Sequence, residues 1–211
     1  MLVLLLCTML TPSVSGADTQ STRQQASRDL ASADIATRRA AAGQLGEVGR
    51  MTDVAALVKA LRDRDEETRA IAEAAIWEIW GRSGDAEIDE LYQKGLQLMN
   101  FGAAGEAIKV FTIIIGKKPE FAEGWNKRAT AYFLIGEMRK SLADCDQVMK
   151  RNPQHFGALS GYGQIYVHLE EYDKAIDSFR RALAVNPNLT NLEGVIRELE
   201  GLARQKRGRM I

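Results

Sequence analysis

The side chains of this 211-residue chain best suited to metal binding or nucleophilic attack are two histidines, His155 and His168, and two cysteines, Cys7 and Cys145. The histidines are not spaced as a pair on one helix face, and no cysteine accompanies them at ligand spacing, so a metal site is unsupported. Gly157-Ala158-Leu159-Ser160-Gly161 superficially resembles a nucleophile elbow. Its serine is one place off, and the segment falls inside a predicted helix rather than a strand-to-helix turn. Gly161-Tyr162-Gly163 fails as a dinucleotide loop, because Tyr166 stands where a third glycine is needed and no strand precedes it. Asp144 and Asp146 lie on a predicted amphipathic helix, where carboxylates are expected to be solvated charges. Cys145 reads as a small buried hydrophobe, and one cysteine beyond the leader builds no disulfide framework. No catalytic residue, metal or cofactor is therefore expected, and the chemistry that remains is recognition.

The elements that must position such chemistry are written three times. Pro119, Pro153 and Pro187 stand 34 residues apart (119 + 34 = 153; 153 + 34 = 187). Small residues keep the same step, as Gly95, Ala129, Gly163 and as Ala107, Ser141, Ala175, and so do the larger Leu98, Tyr132, Tyr166 and Phe111, Cys145, Phe179. A fixed period of this length marks a stacked array. Each unit reads as a helix pair, with small residues where two helices approach and a proline where the second helix must stop. One pair cannot bury its apolar face, whereas three stacked pairs can.

On these residues the stretch Ile88 to Leu189 resembles the tetratricopeptide repeat family. Trp125, Ala129, Tyr132, Ser141, Cys145 and Pro153 fill its marked positions in one unit, and Gly163, Tyr166, Ala175, Phe179 and Pro187 in the next. The resemblance implies an all-α, right-handed solenoid of antiparallel helix pairs over residues 88–121, 122–155 and 156–189, within a segment spanning 85–189. It also implies that the first helix of each pair lines a concave groove. The groove positions are then Tyr92, Leu96 and Met99, followed by Asn126, Lys127, Thr130 and Phe133, and by Ser160 and Gln164, with Asp89, Glu123 and Val167 beside them. Such a surface suits an extended peptide held through amides and hydroxyls, with Tyr92 and Phe133 offering contact area. Chaperone-binding members clamp a terminal carboxylate with cations on the first and third units. Here the matching positions hold Tyr92, Leu96, Ser160 and Gln164, and only Lys127 is cationic, which argues against a co-chaperone role.

Before the array, over residues 18–84, a looser repeat steps by 31: Asp34, Thr37, Arg38, Ala41, Leu45 and Val48 match Asp65, Thr68, Arg69, Ala72, Ile76 and Ile79. In each copy an aspartate can cap the helix, and the arginine four residues on is expected to reach back to it. This resembles the HEAT-like repeats related to those of phycobilisome lyases and implies a helical segment that continues into the array. Trp77 and Trp80 are expected to pack on the array's first helix, and Gly81 to Asp85 to break the chain between the repeat types. Residues 190–211 carry the stripe Leu192, Val195, Ile196, Leu199, Leu202, expected to form a capping helix with a solvated basic end at Arg204 to Arg209.

Met1 to Leu10 would reach ~15 Å as a helix, too short to span a membrane. Small residues and a breaker follow in Thr11 to Ala17, as at a secretory cleavage site, although no basic residue precedes the run. Residues 1–17 are thus expected to be a signal peptide, followed by a polar tail from Asp18 to Ser27 that passes into a short first helix, with no integral span in the mature chain. Without that signal the protein would be cytoplasmic. The 28 basic and 28 acidic residues cancel, so no global field draws the chain to nucleic acid. The expectation is a non-enzymatic scaffold, exported to a bacterial periplasm, that holds a protein or peptide in its groove. The alternative is a structural subunit that self-associates or assembles through its convex or HEAT-like face.

Overall fold

The computed structural model describes residues 16–208, and every regular element among them is helical. In chain order they are α1 (Gly16–Asp29), α2 (Ile35–Val48), a 3-10 turn at Met51–Asp53, α3 (Val54–Ala60), α4 (Glu66–Gly81), α5 (Ala86–Asn100), α6 (Ala104–Lys117), α7 (Ala122–Leu134), α8 (Met138–Arg151), α9 (Phe156–His168), α10 (Tyr172–Val185) and α11 (Asn191–Gly208). The apolar run Met1–Leu10 and residues 11–15 lie outside the described residues. The first helix is present and takes in the whole stretch read as a tail leading into it: α1 is held by a fully buried Ala26 and by an Arg23–Asp53 ion pair of 2.8 Å.

From α5 to α10 the helices pair as the 34-residue period requires, α5 with α6, α7 with α8 and α9 with α10, in a solenoid. Each pair closes where a small residue of the first helix meets a residue of the second. Gly95 faces Phe111 and Gly163 faces Phe179, in both cases so closely that an added methyl would overlap the ring. The middle unit keeps the fit by exchanging both partners: Ala129 stands for the glycine and Cys145 for the phenylalanine, in one buried cluster. The turns between paired helices repeat as well. Gly102 and Gly136 adopt positive φ, and in the third turn Glu170 takes the same left-handed conformation at φ 54°. Helix α11 covers α10 through Ile196 and Leu199. Leu202 of the expected stripe is 42 % exposed, and Ala203 is buried in its place. The basic end is not simply solvated: Arg207 pairs with Asp173 at 2.9 Å, and Lys206 donates to the Glu170 carbonyl at 2.8 Å.

The 31-residue repeat has one hydrogen-bond pattern in both copies. Thr37 N–H donates to Asp34 and Thr68 N–H to Asp65, each at 2.8 Å. The arginines do not reach back to these aspartates, which their own helices' N–H groups occupy. Arg38 instead donates to the Ser32 and Ala33 carbonyls and forks onto Asp63, at 2.7 and 2.9 Å. Arg69 donates to the Asp63 and Arg64 carbonyls and to Asn188, beyond α10, at 2.9 Å. Asn188 in turn donates to the Leu61 carbonyl at 2.8 Å, tying the N-terminal helices to the last unit of the array.

That tie corrects the expectation that Trp77 and Trp80 pack on the first helix of the array. Helix α4, ~24 Å long, begins beside Asn188 and ends with Gly81 against Tyr92 of α5. Between these points Trp77 and Trp80 pack on His155 and Phe156, at the start of α9. The N-terminal helices therefore fold back across the starts of the array's first helices. The driving force is aromatic burial: Phe156 is 1 % exposed and Trp80 4 %.

Candidate peptide-binding groove

Helices α5, α7 and α9 carry the expected groove positions, and the structure divides these into two sets. The first set lies under or beside α4 and is already occupied. Tyr92 is buried between Phe111 and Phe121, with ring centroids at 6.4 and 5.5 Å, and its hydroxyl donates to Glu123 Oε2 at 3.4 Å. Asn126 is 7 % exposed and donates its amide to the same oxygen at 2.9 Å. Lys127 Nζ sits 3.7 Å from Glu123 Oε2 and 5.4 Å from the centre of the Trp77 ring. Ser160 donates its hydroxyl to the Phe156 carbonyl at 2.9 Å.

Glu123, 1 % exposed, organises this set. His155 is the N-cap of α9: its Nδ1 accepts the Ala158 N–H at 3.0 Å, so Nε2 carries the proton and donates to Glu123 Oε1 at 2.8 Å. The imidazole lies flat on Trp80, with centroids 4.2 Å apart. Burial opposes the Glu123 charge, but the His155 hydrogen bond, the Lys127 ammonium and the Asn126 amide outweigh it and hold its pKa at about 2. Burial and the Glu123 carboxylate push the Tyr92 hydroxyl up, so it stays neutral. These groups fasten α4 to α5, α7 and α9, and their geometry is structural.

The second set lies outside the Glu123 network and is less enclosed. Thr130 and Gln164 are exposed, and Phe133 is half-buried, edge-on to His168 at 5.0 Å. Leu96 and Met99 are partly buried on the flank of the first unit. Between α7 and α9, Asn126, Thr130, Phe133 and Gln164 border a cleft that also takes in Gly157, Gly161 and Cys145. Burial, then Asp144 and Asp146, push the Cys145 thiol up to about 12, so it presents an uncharged S–H.

Three residues mattered that the groove assignment passed over. His155 stands where the previous unit has Phe121, and Gly157 where it has Glu123 (121 + 34 = 155; 123 + 34 = 157). A polar ring at an apolar repeat position was the available signal for the Glu123 network. Gly161 carried no signal, because only the spatial neighbours of a helical glycine show what its missing side chain leaves open. Among the described residues, no group of three or more His, Cys, Asp or Glu is placed to hold a metal ion, and no helix is long and apolar enough to cross a membrane.

Comparison with known proteins agrees with this architecture. Residues 158–189 match the tetratricopeptide repeat model. A TPR repeat-containing protein of Rhizobium etli is 32% identical over 126 residues, 60% of this chain and 62% of the relative. Hsp70-Hsp90 organizing protein 1 of Glycine max is 30% identical over 121 residues, which is 57% of this chain and 21% of that protein. The chain thus spans less than two thirds of either. Among solved structures, the first TPR of Spaghetti (RPAP3) bound to the HSP90 peptide SRMEEVD superposes with a TM-score of 0.55 at 23% identity, covering 57% of this chain and 96% of that one. The TPR2B domain of yeast Sti1, in its pHsp70 complex, gives 0.51 at 22%, covering 58% and 99%. At these identities the structural likeness is one of fold: a solenoid of tetratricopeptide type.

Proposed function

We propose that this protein is a non-enzymatic adaptor that holds an extended peptide segment of a partner in the open part of its concave groove. The observation that carries this reading is the less enclosed set itself. Thr130 and Gln164 are exposed and Phe133 half-buried at the cleft between α7 and α9, and Leu96 and Met99 are partly buried on the first unit. Binding of an HSP90 peptide by a solved neighbour of this fold supports the ligand class. The manner of binding differs from a carboxylate clamp. Lys127, the cation at these positions, is paired with Glu123 and covered by Trp77. The HEAT-like reading of residues 18–84 belongs to the proposal and is supported by the twice-repeated Asp–Thr–Arg pattern. Export belongs to it too, supported by the apolar run Met1–Leu10 and the small residues after it.

Site-specific photocrosslinking in cells tests the groove, with the reactive group at Phe133 and a control at the exposed Lys140. A discrete adduct from Phe133 alone supports a groove-bound partner, and adducts from neither site overturn it. For export, protein recovered from a periplasmic fraction should begin at Ala17 or Asp18, and a full-length cytosolic chain would refute it.

A second reading, assembly through another face, is favoured by one observation. Phe101, Ile135 and Leu169 occupy the same place in successive turns (101 + 34 = 135; 135 + 34 = 169) and are 86 %, 49 % and 38 % exposed. Light scattering after size-exclusion chromatography decides it, since a monomer at high concentration removes self-assembly.

A further inference from the structure

The geometry points to a specificity subsite in the groove: the cleft between α7 and α9, beside Gly161 and Cys145, receives one small aliphatic side chain, of alanine to valine size, from the bound peptide. This rests on the peptide-binding reading and says which peptides are taken.

Three observations carry it. The first is size. The cleft is small, with a volume of about 40 Å³, room for roughly three waters at about 10–15 Å³ each, which suits a side chain of one to three carbons better than an aromatic ring. Its opening depends on Gly161, where an added methyl would meet only the Cys145 sulfur, at 3.7 Å.

The second is polarity. The polar groups bordering the cleft are committed elsewhere. Asn126 donates its amide to Glu123 at 2.9 Å, Thr130 its hydroxyl to the Asn126 carbonyl at 3.0 Å, and Ser141 its hydroxyl to the Ala129 carbonyl at 2.7 Å. Beside them the lining includes the apolar groups of Ala129, Phe133 and Ile165 and the protonated thiol of Cys145. A side chain that needs hydrogen-bond donors finds those of Asn126, Thr130 and Ser141 already used, whereas an aliphatic one needs none. Gln164, exposed beside the cleft, supplies an amide for the peptide backbone.

The third is continuity with the α4 interface. Trp77 already sits on Gly157, one helical turn before Gly161, and closes the groove at that end. A peptide entering the cleft therefore runs from there toward Phe133 and not toward Lys127. The side chain in the cleft is the innermost one the groove can take.

The test uses the full chain and its Gly161→Ala variant, which fills the cleft with a methyl while replacing a helical glycine by the best helix former, so the variant folds. A positional-scanning library of acetylated, amidated hexapeptides is the first probe. The expected result is a preference for Ala or Val at one position, with Gly161→Ala weakening the selected peptides at least tenfold and leaving the melting temperature unchanged or higher. Isopropanol, followed through amide shifts, is the second probe. It should move the Gly157, Gly161 and Gln164 signals in the parent and leave them in place in the variant. Peptides that bind with no size preference, or equally to Gly161→Ala, would overturn the subsite while the adaptor reading stands. If no peptide binds, the adaptor reading fails and the subsite with it. If isopropanol leaves these amides unmoved, the cleft admits no aliphatic group and the inference is wrong.

Discussion

Trp77 of α4 lies against the backbone of Gly157 in α9, so closely that a methyl on Gly157 would overlap the indole. This contact presses the N-terminal helices onto the third unit of the array and decides which part of the groove stays open. Around it, Trp77 meets Trp80, His155 and Phe156 edge-on, with centroids between 5.2 and 5.6 Å apart.

Gly157→Ala should therefore destabilise the protein by about 1–3 kcal/mol, the usual cost of overpacking. Removing the indole as well should return part of that loss. In a double-mutant cycle by urea denaturation, Trp77→Ala and Gly157→Ala are expected to be less than additive. Additive losses would mean that the two residues do not meet.

The compensated pair in the middle unit gives a second cycle. Cys145→Phe alone should cost about 1–3 kcal/mol, because Ala129 leaves no room for a ring. Adding Ala129→Gly recreates the Gly95–Phe111 arrangement of the first unit and should recover most of the loss, as read from thermal melts of the single and double variants.

Glu123 links stability to pH. Its carboxyl falls from an ordinary 4.5 to about 2 in the folded state. The contribution is thus fully present above pH 4.5 and is lost as pH falls from there toward 2. Glu123→Gln should flatten the stability curve in that window, and at pH 7 it should cost about 1–3 kcal/mol through poorer partners for His155 and Asn126. Some acid sensitivity will remain, because Asp53 and Asp63 are also held below their usual range. Chemical denaturation of both proteins from pH 2 to 7 measures the difference.

Glu170 sits at φ 54° in the turn where the two earlier units place glycine. A left-handed conformation costs a side-chain-bearing residue about 1–2 kcal/mol. Glu170→Gly should accordingly stabilise the protein by up to about 1 kcal/mol, less a small loss from the exposed Lys206–Glu170 pair. The midpoint of urea unfolding should rise.

Much of this molecule could be read along the chain. Residues 34 apart repeat the same small, aromatic and proline positions, and helix pairing is local, so period and residue size were enough to place α5 to α10 and their inner faces. The polar groove residues were harder. Thr130 and Gln164 are exposed and Phe133 is half-buried, whereas Tyr92, Asn126 and Lys127 are engaged by Glu123, itself held by His155. Arg38 and Arg69 were assigned to the nearest aspartates in sequence and in fact reach Asp63 and Asn188.

The sequence by itself determined the helical solenoid and its three-unit period, because these follow from residue type at fixed short spacing. Only the tertiary structure decided where α4 lies and hence which side of the groove is free. That outcome depends on contacts between residues 32 to 123 positions apart, from His155–Glu123 to Arg62 on the Val185 carbonyl. No local pattern specifies such pairings. They are set by which buried surfaces and hydrogen-bonding groups the folded helices leave for one another to satisfy.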